Sequence, residues 1–281
     1  MPRAFLLLAL LLAGCGSAPP AASHHAPTAA REPQPPCADL PIANEALAAA
    51  PSREPFRPSR HGFRFVNRFE GSPLPGPLRD SPLASGRPVP NTFGLCGGMS
   101  LLAADYFLAG LTPPQDTAPP AQGTPLHEQI FTRQVESLGD AGVMVLAFRE
   151  WMHLPDDDTS ARAGEPSASS RTRDELPAIL ERLDRGELVP LGLVLVRAPG
   201  NERAPRSRPG AFWHNHQVLA YAAERRADAT IIRIYDPNYP GDDDTILHLS
   251  HDAIERRATT GRPTRVRGVF PMPYAFKDPG R

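Results

Sequence analysis

The sequence predicts an α+β fold, and three observations carry that prediction. Two apolar runs, Gln217–Tyr221 and the β-branched Ile231–Tyr235, stand close enough along the chain to pair as neighbouring strands. A helical apolar pattern of Leu101, Leu102, Ala104, Phe107 and Leu108 starts just behind Cys96. The 35 prolines among 281 residues call for long, irregular connections and leave no room for a regular repeat. With 41% hydrophobic residues overall, the stretch 61–281 suits one domain with a substantial core.

Taken in chain order, the elements begin with Arg3 ahead of Phe5–Leu12, an apolar stretch too short to span a bilayer as a mature helix. Residues 1–14 read as a signal peptide. Its end, Leu12-Ala13-Gly14-Cys15, resembles the bacterial lipobox. That resemblance implies lipidation of Cys15, attachment to the membrane through acyl chains, and a place in the bacterial cell envelope; Gly16 resembles the sorting signal for the outer membrane where the cell has one. An ordinary signal peptide, leaving no anchor, is the alternative. Residues 15–60 are rich in proline and alanine and read as a flexible tether, with one short helix near Ile42–Ala50.

Further on, Leu126–Met152 has helical spacing with a break near Gly139–Gly142, and the polar stretch Pro155–Arg171 reads as a loop. Asp174–Asp184 predicts a helix, with Thr172 and Glu175 at capping-box spacing and Gly186 as a left-handed C-cap. Leu188–Val196 is an apolar run that reads as a buried strand. The loop Ala198–Gly210 carries Arg203, Arg206 and Arg208 just before the histidine strand and reads as solvated, the alternative being a cleft border that attracts acidic substrate; Ala222–Ala229 reads as the polar connection between the last two predicted strands.

The chemistry concentrates in three short motifs. In Asn91-Thr92-Phe93-Gly94-Leu95-Cys96-Gly97-Gly98-Met99 a cysteine opens a helix, where first-turn amides and the helix dipole favour a thiolate and offer an oxyanion site. Asn91 has the right chemistry to add a side-chain donor to that site. In Trp213-His214-Asn215-His216-Gln217-Val218-Leu219 a histidine enters a strand; His216 adjoins the apolar run and is preferred over His214 as the base. In Tyr235-Asp236-Pro237-Asn238 a carboxylate ends the next strand, at the same sheet end as His216, where it can orient the imidazole.

The order Cys96, His216, Asp236 resembles the papain-like superfamily of cysteine peptidases, in particular its compact bacterial C39-like branch. The helix, glycine cap and proline-containing strand of Asp174–Leu191 add to the likeness. So do the Phe63–Phe69 entry, the Cys-Gly-Gly-Met helix, the His-Gln-Val-Leu strand and the Tyr-Asp-Pro-Asn turn, which together are similar to a set of uncharacterised bacterial proteins. The resemblance implies a nucleophile helix packed against an antiparallel sheet. It also implies a Cys96–His216–Asp236 triad with Asn91 at the oxyanion, and hydrolysis of peptide or isopeptide bonds in a peptide or protein substrate without a cofactor. One departure stands out: where papain-type enzymes carry an oxyanion glutamine ahead of the cysteine, this chain has Pro90 and Asn91. Two other functions share these residues: a transglutaminase-like acyl transfer, and a non-catalytic binding module that keeps the scaffold.

Other chemistries have less support. Asp156-Asp157-Asp158 and Asp242-Asp243-Asp244 lack the alternating ligands and distal glutamate of an EF-hand loop and read as solvated turns. His214, His216 and Cys96 lack the remaining ligand pattern of a zinc site, so no metal is expected. A net charge of −1 argues against a general nucleic-acid binder. Cys37 can in principle pair with Cys96 in an oxidising compartment, but its place in the tether favours a free Cys96. The oligomeric state is left open.

Overall fold

The computed structural model describes residues 54–71 and 92–280. The signal peptide, Cys15, Cys37, Asn91 and the short helix expected near Ile42–Ala50 lie outside the described residues. In chain order the elements are α1 (Pro58–His61), β1 (Phe69–Glu70), β2 (Thr92–Phe93), α2 (Cys96–Ala109), α3 (Pro125–Glu136), α4 (Val143–His153) and α5 (Ala168–Asp184). Seven strands follow: β3 (Val189–Val194), β4 (His216–Arg225), β5 (Ala229–Tyr235), β6 (Ile246–Ser250), β7 (Ile254–Arg257), β8 (Thr264–Val266) and β9 (Gly268–Pro271).

Those seven strands form one sheet in the order β8-β7-β6-β5-β4-β3-β9, every pair antiparallel, while β1 and β2 form a separate two-stranded ribbon. Helices therefore share the molecule with an antiparallel sheet, which is the α+β class the sequence predicts. Strand β4 shows how the layers divide. Val218 and Ala220 pack with Ile179 and Leu183 of α5, whereas the alternate residue Leu219 joins Met99 and Leu101 of α2 and the aromatic residues Phe63, Phe65 and Phe69. The alternation of side chains along a strand puts these two groups on opposite faces of the sheet. A third cluster forms around Phe148 and Trp151 of α4, which pack on Val194 and Phe270. Packing reaches back to Phe56, which is buried against Phe107 and Tyr221 at ring distances of 5.3 and 5.5 Å.

Three local expectations change. The α5 helix starts at Ala168, so the predicted Pro155–Arg171 loop ends sooner and Thr172 does not cap it. Ser167 caps it instead: its Oγ accepts from Ser170 N at 3.0 Å, and Ser170 Oγ accepts from Ser167 N at 2.8 Å. Thr172, inside the helix, donates to Ala168 O at 2.8 Å and accepts from Val269 N at 2.9 Å, tying α5 to β9. The polar segment Ala222–Ala229 is mostly strand, because β4 continues to Arg225 and pairs with β5 as far as Thr230. Finally, Asp156 is not a solvated turn residue: it is buried, and Arg267 donates to it at 2.6 Å. The break at Gly139–Gly142 does fall between α3 and α4, as a 3-10 turn over Asp140–Gly142. Among the described residues no helix is long and apolar enough to cross a membrane.

Candidate active site

Helix α2 starts at Cys96, and its first full bond runs from Met99 N to Leu95 O at 2.9 Å. The two glycines behind the cysteine are set by close approach. A Cβ on Gly97 would overlap Ser137 Oγ and Gln217 Oε1, and one on Gly98 would overlap the Ile130 carbonyl. Without side chains there, α3 and β4 can close directly on the first turn of α2. One of the turn's free amides is taken up in this way, as Gly98 N donates to Gln134 Oε1 at 3.1 Å. Cys96 is a free thiol and partly exposed.

His216 is the first residue of β4, only 5% exposed, paired in register with Leu193 of β3. Its entry is fixed by Asn215, whose Oδ1 accepts from Leu195 N at 3.0 Å and whose Nδ2 donates to Phe212 O at 3.0 Å. The Nε2 of His216 lies 2.7 Å from Asp236 Oδ1. The Cys96 side chain lies close enough to act on the same imidazole. Burial works against the imidazolium, but the Asp236 carboxylate and Cys96 outweigh it and carry the His216 pKa up to about 10.

Asp236 follows the last residue of β5 and is buried. Burial favours its neutral acid, yet His216, Arg256 and the Asn238 amide hold the carboxyl below the usual range. Both oxygens are occupied: Oδ1 also accepts from Asn238 N at 2.8 Å, and Oδ2 accepts from Arg256 Nη1 at 3.0 Å. The Arg256 guanidinium lies over the Tyr239 ring, 5.3 Å from its centroid. Proline ends the ladder at this point, and Tyr239 N donates back to Asp236 O at 2.8 Å to close the turn.

The structure thus brings Cys96, His216 and Asp236 together. It does not bring His214, which is exposed and accepts from Ala211 N at 3.1 Å. Arg203 and Arg206 of the preceding loop are engaged elsewhere. Arg203 is paired with Glu165, and Arg206 with Asp157 at 2.9 Å, so both bind the 198–210 loop to the 155–165 segment. Among the described residues no group of three or more histidine, cysteine, aspartate or glutamate side chains is arranged to hold a metal ion.

Three further residues belong to the site and were not singled out by sequence. Asn238 lies inside a quoted motif, and its Nδ2 is 3.3 Å from His216 Nε2. Asn67 lies in the Phe63–Phe69 entry and reaches both the cysteine loop and the Asp236 turn. Arg256 comes from β7, and no local pattern marks it; its contact with Asp236 depends on the strand order of the whole sheet. Comparison with protein-family models, curated proteins and solved structures finds no match.

Proposed function

We propose that the chain is a thiol hydrolase with a papain-like arrangement, cleaving peptide or isopeptide bonds and held by a lipid on Cys15 in the bacterial cell envelope. The observation that carries this reading is a buried imidazole held at 2.7 Å by a carboxylate, with a free cysteine at a helix start close enough to act on the same ring. Sγ of Cys96 attacks the substrate carbonyl, and the His216 imidazolium returns a proton to the departing amine. Water then adds to the acyl-enzyme with His216 as base, which releases the acid and restores the thiol. Asp236 keeps the ring oriented and its charge balanced, without taking the proton. The amides of Cys96 and Gly97 are the oxyanion donors, since Gln134 occupies the next one. The anchor rests on the Leu12-Ala13-Gly14-Cys15 motif.

The test is Cys96 alkylation by iodoacetamide in the full chain carrying Cys15→Ser and Cys37→Ser, comparing the rate at pH 6 with that at pH 9. An imidazolium-paired cysteine keeps most of its rate at pH 6. His216→Ala is expected to lower the pH 6 to pH 9 ratio on the order of 100-fold, because an unassisted thiol is under about 1% ionised at pH 6. A wild-type ratio as low as that of His216→Ala sinks the thiol-hydrolase reading.

A further inference from the structure

The catalytic groups come from two separate pieces of chain. Cys96 is delivered by the turn Phe93–Leu95 ahead of α2, whereas His216 and Asp236 are delivered by neighbouring strands of the sheet. Packing of α2 on β4 sets their separation coarsely, but a thiol and an imidazole form a useful pair only within hydrogen-bonding reach. Something must fix the cysteine turn against the carboxylate turn.

Asn67 makes that connection from both ends of its side chain. Its Oδ1 accepts from Leu95 N, the residue before the cysteine, at 2.6 Å. Its Nδ2 donates to Asn238 Oδ1 at 3.2 Å, and Asn238 in turn lies 3.3 Å from His216 Nε2 and donates its backbone amide to Asp236. The backbone takes part as well, as Asn67 N donates to Pro237 O at 3.0 Å. Gly94 presses on the same side chain: a Cβ there would come within 2.9 Å of Asn67 Nδ2. On either side, Phe65 and Phe69 are sunk in the aromatic core, so the strap that carries Asn67 is itself anchored.

We infer that Asn67 is a positioning residue of the site, a two-sided amide clamp that holds the Cys96 turn in register with the His216–Asp236 turn. The role needs an acceptor and a donor on one planar group. Aspartate keeps only the acceptor, and alanine has neither. The inference deepens the thiol-hydrolase reading and rests on it for its catalytic consequence, while the clamp itself is measurable independently.

Two measurements on the full chain with Cys15→Ser and Cys37→Ser test it. The first is deuterium exchange in peptides spanning 93–97 and 236–240. Asn67→Ala is expected to speed exchange in both, and Asn67→Asp in the 236–240 peptide alone, with an unchanged melting temperature marking variants that remain folded. The second is the alkylation ratio at pH 6 to pH 9, which Asn67→Ala is expected to lower roughly tenfold, the worth of one or two hydrogen bonds. As a control, Tyr274→Phe removes a buried bond remote from the clamp, and it should leave both readouts alone. Unchanged exchange in both peptides, or faster exchange in only one of them for Asn67→Ala, overturns the clamp whatever the thiol does. Coupled loosening with an unchanged ratio overturns its positioning role. A wild-type ratio equal to that of His216→Ala counts against the function and the positioning role, and the exchange data still decide whether the clamp exists. Should Asn67→Ala not fold, the one-sided response of Asn67→Asp decides the same question.

Discussion

Two buried aspartates, each paired with an arginine, behave in opposite ways. Asp236 and Asp105 are 1% and 0% exposed. Asp236 meets Arg256 at 3.0 Å, and Asp105 meets Arg133 at 2.8 Å. Yet the Asp236 carboxyl is held below the usual range, while burial pushes that of Asp105 up to about 6 in spite of Arg133. The partners explain the contrast. Asp105 also accepts from Tyr274 Oη at 2.8 Å and from Lys277 N at 3.1 Å, so apart from Arg133 its donors are neutral. Asp236 has a second cation, His216, whose charge Cys96 also favours. The first cluster is closed on itself and ties α2 to α3 and the C-terminal segment. In the second, a charge is shared onward to a partly exposed thiol, and that opening is what makes it a candidate site.

The sharpest way to break the comparison is to remove Asp105. Arg133 is buried, and it would lose its buried carboxylate partner while the more exposed Glu136 remains 2.7 Å from its Nη1. Breaking a buried pair from one side costs about 3 to 5 kcal/mol, and Glu136 softens this toward the lower value. Asp105→Ala should therefore show a large loss in urea or thermal unfolding with an unchanged alkylation ratio at Cys96. A ratio that collapsed in a folded Asp105→Ala protein would mean that the two clusters are not separate.

Asp236→Asn makes the complementary change, with a smaller stability effect and a larger effect on the site. His216 has a folded pKa raised from 6.5 to about 10, so its pairing stabilises the fold fully below pH 6.5 and is lost as pH rises through about 10. The depressed Asp236 pKa adds stability above the ordinary carboxylate range, near 3.8, which is lost as pH falls. The stability gap between wild type and Asp236→Asn should thus be widest between these limits, from roughly pH 4 to 6.5, and narrow toward pH 10. In parallel, the His216 ring followed by NMR should titrate well below 10 in the variant. A His216 titration that stayed near 10 would show that Cys96 alone holds the imidazolium.

Much of the site was legible because its residues sit at element boundaries with local signatures. A glycine pair behind Cys96 marks a helix that something approaches closely. A histidine at the head of an apolar strand and an aspartate before proline at the end of the next mark one end of a sheet. The sheet's seven-strand order was not legible, since β6 to β9 are only three to five residues long and β7 and β8 are largely polar, as in Ile254-Glu255-Arg256-Arg257. Arg256 went unseen for the same reason: its partner lies 20 residues away across two strand pairings. Thr172 misled because its spacing to Glu175 mimics a capping box, while the serines at 167 and 170 cap the helix a turn earlier with help from Asp158. The acidic run at 156–158 misled in another way. A charged triplet in a polar stretch looks solvated until Arg267, from between β8 and β9, is folded onto it.

The smallest expected effect separates the two histidines that sequence could not fully tell apart. His214 and His216 lie two apart in Trp213-His214-Asn215-His216, and a strand running through both would put them on one face. The chain instead makes a 3-10 turn over Phe212–His214 and starts β4 at His216, which breaks that parity. His214 is left exposed, with its Nδ1 satisfied by the Ala211 amide, and burial and Arg208 lower its pKa. His214→Ala should hold the alkylation ratio within about twofold of wild type, and should cost less than about 1 kcal/mol for one partly exposed hydrogen bond. A loss approaching that of His216→Ala would move the base to His214 and leave the His216–Asp236 pair as a structural ion pair like that of Asp105.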